Sequence, residues 1–118
     1  INDWKCNISC NSEGTVIVSY GWSNGQDVVM GVDQNGRILF EYEGSVDNPL
    51  NSTWNTCLDQ HDNIIVSSRD SDRIHVLNKD GTFKKVYKIE SPRAVAINKN
   101  GNMIITDEFR NIYIAQYM

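Results

Sequence analysis

Two histidines and three cysteines are the first places to look for chemistry in this 118-residue chain. Cys57 and His61 stand four apart, a spacing that zinc could use. They fall on a strand and the turn after it, and no second pair completes a closed zinc site. His75 alternates with Ile74 and Val76, so it is expected on the opposite side of its strand, partly exposed. No Gly-x-Ser-x-Gly occurs, and no Cys or Ser is spaced to pair with a base, so no nucleophilic centre is expected. Phosphate loops and dinucleotide fingerprints are absent. The sequence therefore predicts no catalytic residue, no metal ligand set and no cofactor.

The cysteines carry a second question. Cys6 and Cys10 lie four apart on one strand, about 13 Å at ~3.3 Å per residue. That exceeds the roughly 7 Å between Cα atoms that a disulfide spans. Cys57 falls one position from the Cys10 register. All three are expected as small buried thiols in sheet cores, which fits a reducing, cytoplasmic compartment. The triplets Asn7-Ile8-Ser9 and Asn51-Ser52-Thr53 are glycosylation acceptors and point the other way.

The remaining candidates are loop residues. Arg69, Arg73 and Arg110 fall in equivalent loops between second and third strands, so they are expected on one face. Asp70, Asp72, Asp107 and Glu108 interleave them. A net charge of −4 offers no electrostatic funnel for a polyanion. The loop 21–27 carries Trp22, Asn24 and Gly25, an aromatic between flexible residues. The binding-face candidates are thus Trp22, Asn24, Arg69, Asp70, Arg73, Glu108 and Arg110. Lys79, Lys84, Lys85 and Lys88 read as an outer strand and its turn, kept in solvent and discouraging edge pairing.

Strands must position these residues. In the stretch 54–87, four short β-branched or aromatic runs, at 54–59, 64–68, 73–78 and 82–88, are separated by polar turns. The pattern recurs. Asp62-Asn63-Ile64-Ile65-Val66-Ser67 matches Gly101-Asn102-Met103-Ile104-Ile105-Thr106 thirty-nine residues on. It matches Gly14-Thr15-Val16-Ile17-Val18-Ser19 forty-eight residues back. Asp33-Gln34-Asn35-Gly36 likewise matches Asn78-Lys79-Asp80-Gly81. A period near forty with four strands per unit is the signature of β-propeller blades. The prediction is an all-β chain of four-stranded antiparallel meanders in an incomplete ring. Blade one covers about 1–48, blade two about 49–90, and an incomplete blade three about 91–118. No helix is expected, since no window carries an apolar stripe of helical period.

Composition agrees with a folded unit: 40% of residues are hydrophobic and 22% charged. No apolar run approaches the ~18 residues of a membrane span. No signal peptide is visible, although Ile1 is not an initiator methionine.

Laid out by blade, the motifs resemble a known family. Blade two carries Leu58-Asp59, Ile64-Ile65-Val66, Asp72-Arg73-Ile74 and Asp80-Gly81-Thr82-Phe83. Blade three carries Pro92, Ile97-Asn98, Gly101 and Ile104-Ile105-Thr106-Asp107. Blade one keeps Asn35-Gly36 and lacks the Arg-Ile pair. This is similar to NHL repeats, the propeller blades at the C-terminal end of tripartite-motif (TRIM-NHL) proteins. The resemblance implies a non-catalytic binding platform that grips a protein or RNA by loops on one face. The parent would resemble a ubiquitin ligase, with its ligase chemistry in a RING domain this chain does not contain. Related propeller enzymes, the lactonases and peptide-amidating lyases, imply the alternative. There a channel metal such as calcium would draw on Asp70, Asp72, Asp107 and Glu108. Family propellers have about six blades and this chain fewer than three, so the ring is expected to close by missing blades of a parent chain or by self-association.

Overall fold

The computed structural model describes residues 4–22 and 27–116. One device shapes most of its turns. An Asn or Asp at the end of a strand accepts, on Oδ1, the backbone N–H groups two and four residues on. Asn11 takes those of Glu13 and Thr15, and Asp33 those of Asn35 and Arg37. Asp59 takes those of His61 and Asn63, Asn98 those of Asn100 and Asn102, and Asp107 those of Phe109 and Asn111. The side chain satisfies donors that the turn would otherwise leave open. The residue three on then has positive φ. Glycine holds it at Gly14 and Gly101, at 85° and 83°, whereas Asp62 at 64° and Arg110 at 70° hold it without that freedom.

Between these turns, among the described residues, run eleven strands in three antiparallel sheets. The first sheet joins β1 (Trp4–Cys10), β2 (Val16–Trp22), β3 (Val28–Val32) and β4 (Ile38–Tyr42) in chain order. The second joins β5 (Thr53–Leu58), β6 (Ile64–Ser68), β7 (Arg73–Leu77) and β8 (Phe83–Lys88), again in order. The third joins β9 (Pro92–Ile97), β10 (Met103–Asp107) and β11 (Ile112–Ala115). The meander and the all-β class are as the sequence predicts. The only helical turn among the described residues is a three-residue 3-10 turn, Arg69–Ser71.

The sheets stack face to face. Ile17, Val29, Leu50, Ile64, Val66 and Leu77 form the core of the first seam, and Ile65, Ile74, Val76, Val95, Met103 and Ile105 that of the second. The second sheet is therefore covered on both sides, and every residue of β6 is buried. The run Ile64-Ile65-Val66 serves both seams, since neighbouring strand residues point to opposite faces. Polar links join the first strands across each seam. Asn7 Nδ2 donates to Trp54 O at 3.2 Å, and the Val95 N–H donates to Asn55 Oδ1 at 2.9 Å. These strands are the inner ones, and β4 and β8 lie outside. Phe40 of β4 seats between two glycines. A Cβ at Gly31 or at Gly81 would come within 2.2 Å of its ring.

Three expectations are corrected here. His75 is not a surface residue; it is fully buried in the first seam. Its Nε2 lies 3.2 Å from Pro49 O and its Nδ1 2.7 Å from the Tyr42 hydroxyl. The far face of its strand is not solvent but the neighbouring sheet. Cys6 and Cys10 are exposed, not buried, because they sit on the uncovered face of the first sheet, while Cys57 is half-buried. Asn7 is engaged in the seam, so its amide is not a free acceptor site for a glycan.

Candidate functional site

The up-and-down strands put two kinds of connection on one face of the stack: those running into β5 and β9, and the loops after β6 and β10. Ser52 and Ser91, thirty-nine residues apart, lead into β5 and β9 with left-handed φ of 53° and 45°. Each carbonyl accepts a backbone N–H from the loop beside it, Arg69 to Ser52 at 3.1 Å and Glu108 to Ser91 at 3.3 Å. Each hydroxyl donates to an acid of that loop, Ser52 to Asp70 at 2.6 Å and Ser91 to Glu108 at 2.5 Å. The Ser52 hydroxyl, and then Arg69, hold the Asp70 carboxyl below the usual range. Asp72 joins the blades. Its carbonyl accepts from Ile89 N–H at 3.2 Å and its carboxylate from Ser91 N–H at 2.8 Å.

At the centre of this face stands Trp54, at the head of an inner strand. The Arg69 guanidinium carbon lies 5.4 Å from its ring centroid and that of Arg93 4.6 Å. Both approaches are within cation–π range. Arg69 Nε pairs with Asp70 Oδ1 at 3.0 Å, and Arg93 Nη2 lies 3.6 Å from Glu108 Oε2. The two arginine side chains keep 32% and 34% of their surface open. The result is a half-open patch, two guanidinium groups against one indole, with each guanidinium beside one acid. It crosses the seam, since Trp54 and Arg69 come from the second sheet and Arg93 and Glu108 from the third. A patch of this kind suits planar and hydrogen-bonding groups. Its internal pairing leaves little excess positive charge for a polyanion.

Of the sequence candidates, the structure brings Arg69, Asp70 and Glu108 into this patch. Arg73 spends its guanidinium inside its own loop, with Nη1 donating to the carbonyls of Ser71 and Asp72 at 3.1 and 3.2 Å. Its Nε is buried without a partner. Arg110 is exposed at the left-handed position of the turn after β10. The Trp22 side chain and Asn24 lie outside the described residues. Trp54 and Arg93 were missed, because each reads only as the first residue of a strand. The repeat held the signal: an offset of thirty-nine places Arg93 on the position of Trp54 in the next blade.

The acids named for a channel metal are already committed. Asp107 accepts N–H groups of Phe109 and Asn111, the Asn111 amide and the Tyr113 hydroxyl. Among the described residues no group of three His, Cys, Asp or Glu side chains is placed to hold a metal ion. No helix of the described residues is long and apolar enough to cross a membrane. On the opposite face of the same seam lies a cleft of about 120 Å³ lined by Asp59, His61, Ile97, Asn100 and Gln116 among others. That is well below the roughly 300 Å³ at which small-molecule pockets begin.

No protein-family model matches the chain. Protein lin-41 of Caenorhabditis elegans is 43% identical over 49 residues, which are 41% of this chain and 4% of that protein. Among solved structures, a streptogramin B lyase aligns over 98% of this chain and 45% of its own, with TM-score 0.65 and 17% identity. A catalytically inactive virginiamycin B lyase from Staphylococcus aureus with quinupristin aligns over 99% and 46%, with TM-score 0.68 and 13% identity. A protein of unknown function from Bacteroides caccae aligns over 87% and 38%, with TM-score 0.60 and 13% identity. The chain thus spans under half of each structure it resembles, and identities this low show the propeller fold alone.

Proposed function

We propose that this chain is part of an NHL-type propeller that works as a non-catalytic binding platform for a protein partner. The observation that carries the reading is the Arg69–Trp54–Arg93 patch. It is aromatic, rich in guanidinium donors and half-open, and it lies on the face where the connecting loops meet. Tryptophan and arginine are the residue types that most often carry binding energy at protein interfaces. The pairing of each arginine with an acid favours a partner of mixed charge over RNA. The likeness to lin-41, a TRIM-NHL protein, supports the NHL type. On this reading any ligase chemistry belongs to another part of the parent protein.

The test is comparative capture. Proteins and RNA retained by the immobilised chain are compared with those retained by Arg69→Gln/Arg93→Gln and by Lys99→Glu, a change on the opposite face. The expected outcome is a protein lost from the first variant and kept by the second. Binding that survives in both variants overturns the reading.

The lyase structures favour a second reading, a slice of a propeller enzyme with a channel metal drawing on Asp70, Asp72, Asp107 and Glu108. The hydrogen bonds those carboxylates already accept weigh against it. Millimolar calcium is expected to leave the thermal midpoint unchanged, and EDTA likewise. A calcium-dependent rise lost in Asp107→Asn would support the enzyme reading instead.

A further inference from the structure

Among the described residues, the two outer sheets each leave a face uncovered. In the second seam, the second sheet presents Ile65, Ser67, Ile74 and Val76, and the third sheet receives them with Val95, Met103 and Ile105. Ser67 Oγ donates across that seam to Arg93 O at 2.5 Å. Carried forward by the repeat, Ile65 and Ser67 become Ile104 and Thr106 on the uncovered face of the third sheet. Ile74 and Val76, paired with Ser67 and Ile65, become Ile112 and Ile114, paired with Thr106 and Ile104. Ile74 and Val76 are 0% and 1% exposed, whereas Ile112 and Ile114 are 69% and 68% exposed.

The first sheet shows the complementary half. Val95 and Thr56, which face the preceding sheet, are 5% and 8% exposed. Their equivalent, Ile8, is 71% exposed. It shares its face with Val16 and Val18, the equivalents of Ile64 and Val66, and with Cys6 and Cys10. At these four positions of its second and third strands, the forward face of the third sheet therefore matches what the second sheet presents to the third. The rear face of the first sheet matches what the second presents to the first. The inner and outer strands depart: Ala94 stands where Asn7 and Asn55 make their links, Ala96 stands where Cys57 packs, and Tyr87 and Ile89 have no counterpart among the described residues.

We propose that the open face of the third sheet docks on the open face of the first sheet of a second copy of this chain, head to tail, so that two copies close one ring. The interface continues a seam the chain already makes twice. It is heterologous, and such contacts close into rings when the rotation per subunit allows it. Three sheets from each copy give six, within the four to eight blades of propellers. The chain also spans 45% and 46% of two solved structures of this fold.

Light scattering across a wide concentration range tests this. The 118-residue chain is expected as a discrete dimer, at twice 13.4 kDa. Ile8→Lys and Ile114→Lys are each expected to be monomeric, with an unchanged far-UV spectrum. Mixed one to one, they are expected to form a heterodimer, since each variant keeps the face the other has lost. Cys6 and Cys10 are expected to react more slowly with a thiol reagent in the dimer than in the Ile114→Lys monomer. A wild-type monomer, an open-ended ladder, a dimer indifferent to either lysine or a mixture that stays monomeric overturns the proposal.

Discussion

His75 is held by two contacts that fix its tautomer. The Pro49 carbonyl can only accept, so Nε2 carries the proton and Nδ1 accepts from the Tyr42 hydroxyl. The rings meet edge to face at 5.6 Å. Burial first, and then the Arg73 charge, push the His75 pKa down to about 4, against a hydrogen bond to Pro49 that raises it. Burial pushes that of Tyr42 up to about 12. The unfolded chain therefore binds a proton at His75 near pH 6.5 that the folded chain takes only near pH 4. Stability from this site is complete above about pH 6.5 and declines as pH falls to about 4, by roughly 3 kcal/mol. Urea midpoints measured from pH 7 to pH 4 should show this fall, and His75→Gln should flatten it. Tyr42→Phe strips a buried acceptor of its donor and is expected to cost about 1–3 kcal/mol at pH 7.

At the scale of elements, the seams rest on small residues as much as on large ones. Phe40 lies against Gly31 of its own sheet and Gly81 of the next blade's turn. Gly31→Ala is expected to cost about 1–3 kcal/mol in a denaturant titration, because the ring has a glycine on either side and little room to move. Phe40→Leu in the same chain should recover part of that loss. The turns make a second prediction. Arg110 fills a left-handed position that Gly14, Gly36 and Gly101 fill elsewhere. Arg110→Gly should gain up to about 1 kcal/mol of stability in the same titration. No gain would mean that the arginine side chain itself steadies the loop after β10.

For the whole molecule, stability should grade along the stack, since each sheet contacts only its neighbours. The second sheet is covered twice, and the third is covered once and has three strands among the described residues. Amide exchange is expected to be slowest in β6 and β7 and fastest in β11. Uniform protection across all three sheets would contradict this ordering. Docking of a second copy should slow exchange in β11 most, which links this measurement to the proposed ring.

The sequence by itself determined the strands, their order and their turns, because these depend on local facts. Asn or Asp, then a glycine three residues on, closes a turn through its own backbone, and alternation assigns each side chain to a face. It also placed Arg69, Asp70 and Glu108 on a common face, since meander topology dictates which loops share an end. What a face looks at is not local. His75 was read as surface, and Cys6 and Cys10 as core, because alternation says that two residues face opposite ways without saying which way holds a neighbour. Trp54 and Arg93 lie thirty-nine residues apart and meet only because successive inner strands stand side by side. Tertiary packing alone decided that patch, the buried histidine and which sheet faces stay uncovered among the described residues.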